Sequence, residues 1–467
     1  PPQMRGERGN AQHRNQRLPQ RRRHLCHRLE VKMITNDAAA SLAINPTEHV
    51  KSINALSYDG NALMMDGVSL ADIAKTFGTP TYVYSQQAIL AAYETDEACS
   101  SDMDHLICYA VKANSNLAVL NELAKAGAGF DIVTGGELAR VLAAGGDPKK
   151  IVFSGLGKTA EDIRTALEVG IACFNVESEA ELYRINAVAG KLQKQAPISL
   201  RVNPNVDAQT HPYISTGLKE NKFGITHEDA PRIYQIAHDL PHLKIVGIDC
   251  HIGSQLTQVQ PFMDALDKVI EMIHALAKQG IVLEHIDLGG GLGVQYIDED
   301  VASIEEFAQL LLPKLKTLGL TLYLEPGRSI VANAGVLLTR VDILKPTEHK
   351  NFAIVDAAMN DLIRPALYQS EMAVIPTQLN SPVEPKVWDM VGAICETGDF
   401  LAKNRVLALA DNDVLAITGA GAYGFVMSSN YNSRPRACEI LVKEGRAHVI
   451  RERETVESLW QNEKLVN

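Results

Sequence analysis

Three features of the chain could do chemistry together, and each stands at the C-terminal end of an apolar, strand-like run. Lys112 closes "LICYAVK" (106–112) within the stretch "YAVKANSN". A charge there is expensive, so Lys112 is either salt-bridged for structure or a reactive amine. An amine that attacks a carbonyl must be neutral, and a partly desolvated pocket is expected to lower its pKa. The second feature is "DLGGGLG" (287–293), where Gly290, Gly291 and Gly293 could bring backbone N–H groups against a phosphate or form a plain turn. The third is "LEPGRSI" (324–330): Glu325 ends a strand, Gly327 permits close backbone approach, and Arg328 offers a planar anion-binding fork or closes a salt-bridged rim.

A reactive lysine, a phosphate loop and a strand-end acid together suit one cofactor, pyridoxal 5′-phosphate. Lys112 would form the Schiff base, the glycines would hold the phosphate, and Glu325 would keep the pyridine nitrogen protonated. His251 and Ser254, in "CHIGSQ", stand at another strand end. His251 could stack on the ring, with Ser254 near the phosphate, although a lone histidine is more often a satisfied core residue.

Short β-type runs alternate with helical patterns from residue 80 to about 327. The runs are "PTYVYS" (80–85), "LICYAVK", "FDIVT" (130–134), "IVFSG" (151–155), "ACFNVES" (172–178), "ISLRVNP" (198–204), "LKIVGIDCHIG" (243–253), "LEHIDLGGG" (283–291) and "TLYLEPG" (321–327). The alternation predicts βαβ units and a parallel sheet. Eight or so units over about 250 residues is the size of a (β/α)8 TIM-type barrel. A doubly wound sheet would alternate too, but no GxGxxG follows the first run. In a barrel, Lys112, Asp131, Arg201, His251, Gly289–Gly291 and Glu325 would all reach one mouth, where barrel active sites are built.

Beyond about residue 335, segments such as "GVLLTRVDILKPT" and "RVLALADNDVLAITGA" predict an all-β, sandwich-like second domain. "ALSYDGNALMMDGVSL" (55–70) is hairpin-like, with "YDGN" as its turn. The expected division is a basic extension (1–32), an N-terminal segment contributing strands to the β domain (33–79), a cofactor-binding barrel (80–334) and the C-terminal β domain (335–467).

The composition, 46% hydrophobic and 22% charged, is that of an ordinary globular protein. No apolar run has the length of a membrane span, so no membrane role is expected. Seven scattered cysteines, with neither CxxC nor zinc-type spacing, point to the cytoplasm and to no metal site. The net charge of −11 is uneven: nine Lys and Arg against two acids give residues 1–32 a charge of +7, leaving −18 on the body. So acidic a body is a poor nucleic-acid surface. The tail contains no serine and is expected to be a disordered, non-native or upstream-translated extension rather than a targeting peptide.

Six motifs, in order over about residues 55–440, carry a closer resemblance: "YAVKAN", "HIGSQ", "DLGGGLG", "EPGRSIVANAG", "CETGDFLA" and "GAYGFVMSSNYNSRPR". Together they resemble the diaminopimelate decarboxylase family, of the alanine-racemase-fold (fold type III) pyridoxal-phosphate enzymes. The resemblance implies a barrel followed by a β domain, and a homodimer with active sites at the subunit interface. It also implies decarboxylation of meso-2,6-diaminopimelate to L-lysine, the last step of lysine biosynthesis. Lys112 resembles the Schiff-base lysine, His251 the ring-stacking histidine, and Glu325, Gly327 and Arg328 the cofactor set. Asp131 and Arg201 resemble supporting residues. Arg364 and Tyr368, four apart in "MNDLIRPALY", suit with Arg328 the substrate's distal carboxylate. Cys395 resembles the proton donor, otherwise a buried small hydrophobe. Glu396 would hold the distal ammonium, both residues coming from the partner subunit. Tyr423 would line cofactor and substrate. Alternatives are an ornithine- or arginine-type decarboxylase, a racemase of this fold, and a non-catalytic cofactor-binding homologue.

Overall fold

The computed structural model describes residues 43–207 and 221–466; the basic tail, and Lys219 of the candidate covering loop 214–225, lie outside the described residues. Eight strands form the barrel: β1 (His105–Ala110), β2 (Gly129–Ile132), β3 (Ile151–Phe153), β4 (Cys173–Val176), β5 (Ala196–Asn203), β6 (Leu243–Asp249), β7 (His285–Asp287) and β8 (Thr321–Leu324). Each pairs in parallel with the next, and β8 returns onto β1 through Leu322–His105, Tyr323–Leu106 and Leu324–Ile107. The strands are buried almost throughout, as expected where helices cover a parallel sheet from outside.

The crossover helices follow from local chemistry. In Leu117–Ala126, Val119, Leu120 and Leu123 recur on one buried face. Asn116 caps its start by accepting the Ala118 N–H, and Gly127, at φ 96°, ends it in the left-handed conformation. Ala160–Val169 opens on a reciprocal capping box between Thr159 and Asp162.

The first β-type run is the exception. Thr81–Ser85 does not enter the barrel. It lies in a second sheet, antiparallel to Gly335–Pro346 and parallel to Cys438–Lys443. A fully buried apolar run reads the same in either sheet, so periodicity alone could not place it. The remaining eight runs are the eight barrel strands.

In that second sheet the twelve-residue strand Gly335–Pro346 is the spine, pairing with Thr81–Ser85, Asn351–Val355 and Val414–Thr418. The hairpin Leu56–Asp59/Ala62–Met65 pairs antiparallel around its Gly60 turn. Its Leu56, Leu63 and Met65 share a core with Val83, Val336, Leu338 and Ile440. No helix among the described residues is long and apolar enough to cross a membrane.

Candidate active site

The strand ends of the barrel and the second sheet enclose a cavity of about 420 Å³. Of the expected site residues, Lys112, His251, Ser254, Gly291, Glu325, Gly327, Arg328, Arg364, Tyr368 and Tyr423 line it. Gly290 lines a smaller cavity behind it, and Gly293 packs against Leu256 and Gln255. Cys395 and Glu396 are exposed and do not line it; the Glu396 carboxylate accepts from Tyr431 at 2.5 Å, and the Cys395 N–H donates to Asn432 Oδ1 at 3.0 Å. Cys395 is therefore not the buried small hydrophobe that free cysteines usually become.

Lys112 follows β1 in a short 3-10 turn, and its Nζ donates to Asp131 Oδ2 on β2 at 2.5 Å. Its pKa departs from the expected direction. Burial, the largest single influence, pulls it down, but the Asp131 and Glu325 carboxyls together outweigh burial and hold it above the usual lysine value. The free amine rests here as an ammonium. "KANSN" is fixed on its other side: Asn114 Nδ2 donates to Gly421 O at 3.1 Å and Asn116 Nδ2 to Glu439 Oε2 at 2.8 Å.

Glu325 follows β8 and is buried, accepting from Ser154 Oγ at 3.2 Å and Asn175 Nδ2 at 3.4 Å. Burial, then the neighbouring Asp131 and Asp287 carboxyls, push its pKa well above the usual carboxylate range. Asp287 is likewise raised to about 7, by burial and then by Asp249. A basic ring nitrogen set against Glu325 would be favoured as a cation by this acidic pocket.

His251 is held neutral, by burial first and then by the Arg201 and Lys112 cations. Its Nδ1 accepts the Gly290 N–H at 3.2 Å, which puts the ring proton on Nε2. Arg201 explains the ring's placement. Its Nη1 bonds Glu177 at 2.9 Å, its Nη2 reaches the His251 carbonyl at 3.5 Å, and its guanidinium lies over the Phe223 ring.

The glycine run is needed for a reason that the sequence did not show. A Cβ on residue 289 would lie 2.4 Å from His251 Nδ1, on 290 2.1 Å from the Glu325 carbonyl, and on 291 2.3 Å from the Gly253 carbonyl. At 290 and 291 the loops cross backbone to backbone, at 289 the His251 ring closes the space, and only glycine fits. The Gly290 N–H is already committed to His251, so it does not point at an anion.

The anion end is Arg328. It is buried; its Nη2 donates to Ser254 Oγ at 2.9 Å and its Nη1 to Tyr296 Oη at 2.6 Å, while Nε is buried without a hydrogen-bond partner. Tyr423 lies 4.8 Å from the same guanidinium. Its φ of +54° is a left-handed conformation costing about 1 kcal/mol in a non-glycine residue. The N–H bond from Tyr423 to Ala113 O, at 2.8 Å, holds it there, directing the ring into the cavity. Sequence reasoning missed Tyr296; its only signal was a phenol three residues beyond Gly293. The site thus offers an amine for an aldehyde, a carboxylic acid for a ring nitrogen, a neutral imidazole for a ring face, and Ser254 with Arg328 for a phosphate. These groups fit pyridoxal phosphate.

A parallel barrel joined to a β domain, with a lysine and a ring-protonating acid on adjacent strands, defines a barrel-type pyridoxal-phosphate enzyme. Residues 89–332 match the family described as pyridoxal-dependent decarboxylase, pyridoxal binding domain. The chain belongs to this family, among its diaminopimelate decarboxylases, and its cofactor is pyridoxal phosphate. It is 59% identical over 414 residues to the diaminopimelate decarboxylase of Pseudomonas aeruginosa, covering 89% of this chain and 100% of that protein. The structure of the Helicobacter pylori enzyme complexed with L-lysine is similar at a TM-score of 0.81 and 43% identity, covering 84% of this chain and 98% of the other. The M. jannaschii enzyme in co-complex with L-lysine aligns at a TM-score of 0.85 and 37% identity, over 89% of this chain and 99% of the other.

Proposed function

We propose that the chain decarboxylates meso-2,6-diaminopimelate to L-lysine and carbon dioxide, as a cytoplasmic homodimer whose active sites lie at the subunit interface. The observation that carries the substrate is the pair of buried guanidiniums, Arg328 and Arg364, facing the same cavity as Lys112. A substrate with a distal carboxylate satisfies them; one ending in an ammonium, such as ornithine, leaves two buried cations facing a third.

Bound pyridoxal phosphate supplies the electron sink that receives the pair left behind by departing carbon dioxide. Lys112 Nζ anchors the cofactor, and Asp131, hydrogen-bonded to that nitrogen, positions it. Glu325 would keep the ring nitrogen protonated. His251, neutral and fixed by Gly290 and Arg201, covers one ring face and excludes water there. Arg328, Arg364 and Tyr368 would hold the distal carboxylate and so fix the orientation of the reacting end of the substrate. The Cys395 thiol then gives its proton to the carbon that lost carbon dioxide, and Glu396 holds the distal ammonium. Both residues act from the partner subunit, a reading supported by their exposure and their absence from the cavity wall of their own chain.

The deciding assay offers meso-diaminopimelate, ornithine and arginine separately and measures carbon dioxide release. Release from diaminopimelate alone is expected, and Lys112→Ala abolishes both the bound-cofactor absorbance and turnover. Release from ornithine but not diaminopimelate overturns the substrate assignment and leaves the cofactor assignment standing.

A further inference from the structure

Arg328 and Arg364 are 6% and 5% exposed, and among the described residues neither forms an ion pair. The acids that share their cavity are committed elsewhere. Glu299 Oε2 accepts the Tyr296 and Ile297 N–H groups at 2.8 Å each, and Glu371 pairs with Arg405. Two like charges taken out of water without a counter-ion form a site that demands an anion.

What holds them side by side is Tyr296, itself 4% exposed. Its phenol oxygen accepts from Arg328 Nη1 at 2.6 Å and from Arg364 Nη1 at 2.5 Å, while the Arg364 guanidinium lies 4.6 Å from the centre of its ring. A phenol oxygen has two acceptor positions and one hydrogen. Both acceptor positions are filled, and no acceptor among the described residues takes the hydrogen, so the O–H is left to donate into the cavity that Tyr296 lines.

We propose that Tyr296 is a specificity-determining residue that fixes Arg328 and Arg364 as one clamp and adds its own O–H to the carboxylate they bind. The proposal rests on the diaminopimelate reading, because that substrate keeps one carboxylate through the reaction. L-Lysine retains this group, and 1,5-diaminopentane has the same chain without it. The clamp therefore separates these two ligands. Arg328 also holds Ser254, so a competing source of the anion is the cofactor's phosphate.

The test uses the holoenzyme with Tyr296→Phe, which keeps the ring and removes the bridge. Calorimetric titration is expected to show L-lysine binding weakened about tenfold, the scale of losing a hydrogen bond to a charged group. The affinity for 1,5-diaminopentane and for pyridoxal phosphate stays within about twofold, and KM for diaminopimelate rises with the lysine constant while kcat changes less. Tyr296→His, which keeps an acceptor and a donor on a ring, recovers part of the lysine affinity and serves if the Phe variant does not fold. Unchanged lysine binding overturns the proposal, as does equal weakening of both ligands. Loss of cofactor affinity alone reassigns Tyr296 to the phosphate and also overturns it. A failure to decarboxylate diaminopimelate would sink the proposed function, whereas the lysine and diaminopentane titrations read the clamp independently of turnover.

Discussion

An ammonium cannot attack a carbonyl, so the proton that Asp131 holds on Lys112 Nζ must leave before the cofactor is captured. Because the folded-state pKa is raised above the ordinary lysine value, the amine is protonated throughout the neutral range, and capture by the apoenzyme is expected to speed up as pH rises. Asp131→Asn removes the nearest carboxylate and lets burial count for more, which lowers the amine's pKa. The variant should capture pyridoxal phosphate faster at neutral pH, with its pH dependence displaced downward, as read by stopped-flow absorbance. A pH profile identical to the parent's would show that Asp131 does not set the charge. The strand-end position of Lys112 was legible in the sequence, because an amine there is visible locally. Sequence reasoning gave the wrong direction for the pKa, because the carboxyls that decide it arrive from β2 and β8, and only folding brings them to the amine.

At the scale of elements, the mouth is built from loops that touch through bare backbone. Gly290→Ala would set a methyl 2.1 Å from the Glu325 carbonyl, and neither loop is a flexible side-chain end that could give way. The expected cost is about 1–3 kcal/mol of stability. It should appear as a lower melting temperature together with weaker cofactor binding, since Glu325 and His251 are both displaced. Gly157→Ala, where a Cβ meets nothing within 4 Å, is the matched control and should melt like the parent. The strand ends were legible from alternating periodicity, and the glycines from their spacing. The close backbone crossings were not, since a Gly-rich turn reads the same whether it faces solvent, an anion or another loop. Thr81–Ser85 and Tyr296 were lost for a related reason. Their partners lie far along the chain, Arg328 and Arg364 being 32 and 68 residues from Tyr296.

At the scale of the whole molecule, the cavity sits on the seam between barrel and second sheet. Asn114, Asn116 and Tyr423 tie the Lys112 turn to residues 421–439. The proposal that Cys395 and Glu396 act from a partner chain has a direct test. Lys112→Ala and Cys395→Ala, each inactive or nearly so alone, should regain activity when mixed and allowed to exchange subunits. Random exchange makes about half of the dimers mixed, and each mixed dimer carries one site free of both changes, so about a quarter of parental activity is expected for a two-fold assembly. Mixtures no more active than their components would show that each chain completes its own site.

The pairing of β8 with β1 has a consequence for the order in which the protein becomes competent. Lys112 follows the first barrel strand and Glu325 the last, so the two groups become neighbours only when Leu322–Leu324 zips onto His105–Ile107. A growing or partly folded chain therefore presents its lysine without its ring acid. The cofactor's amine anchor and its ring-nitrogen partner are therefore brought together by the closure of the barrel itself.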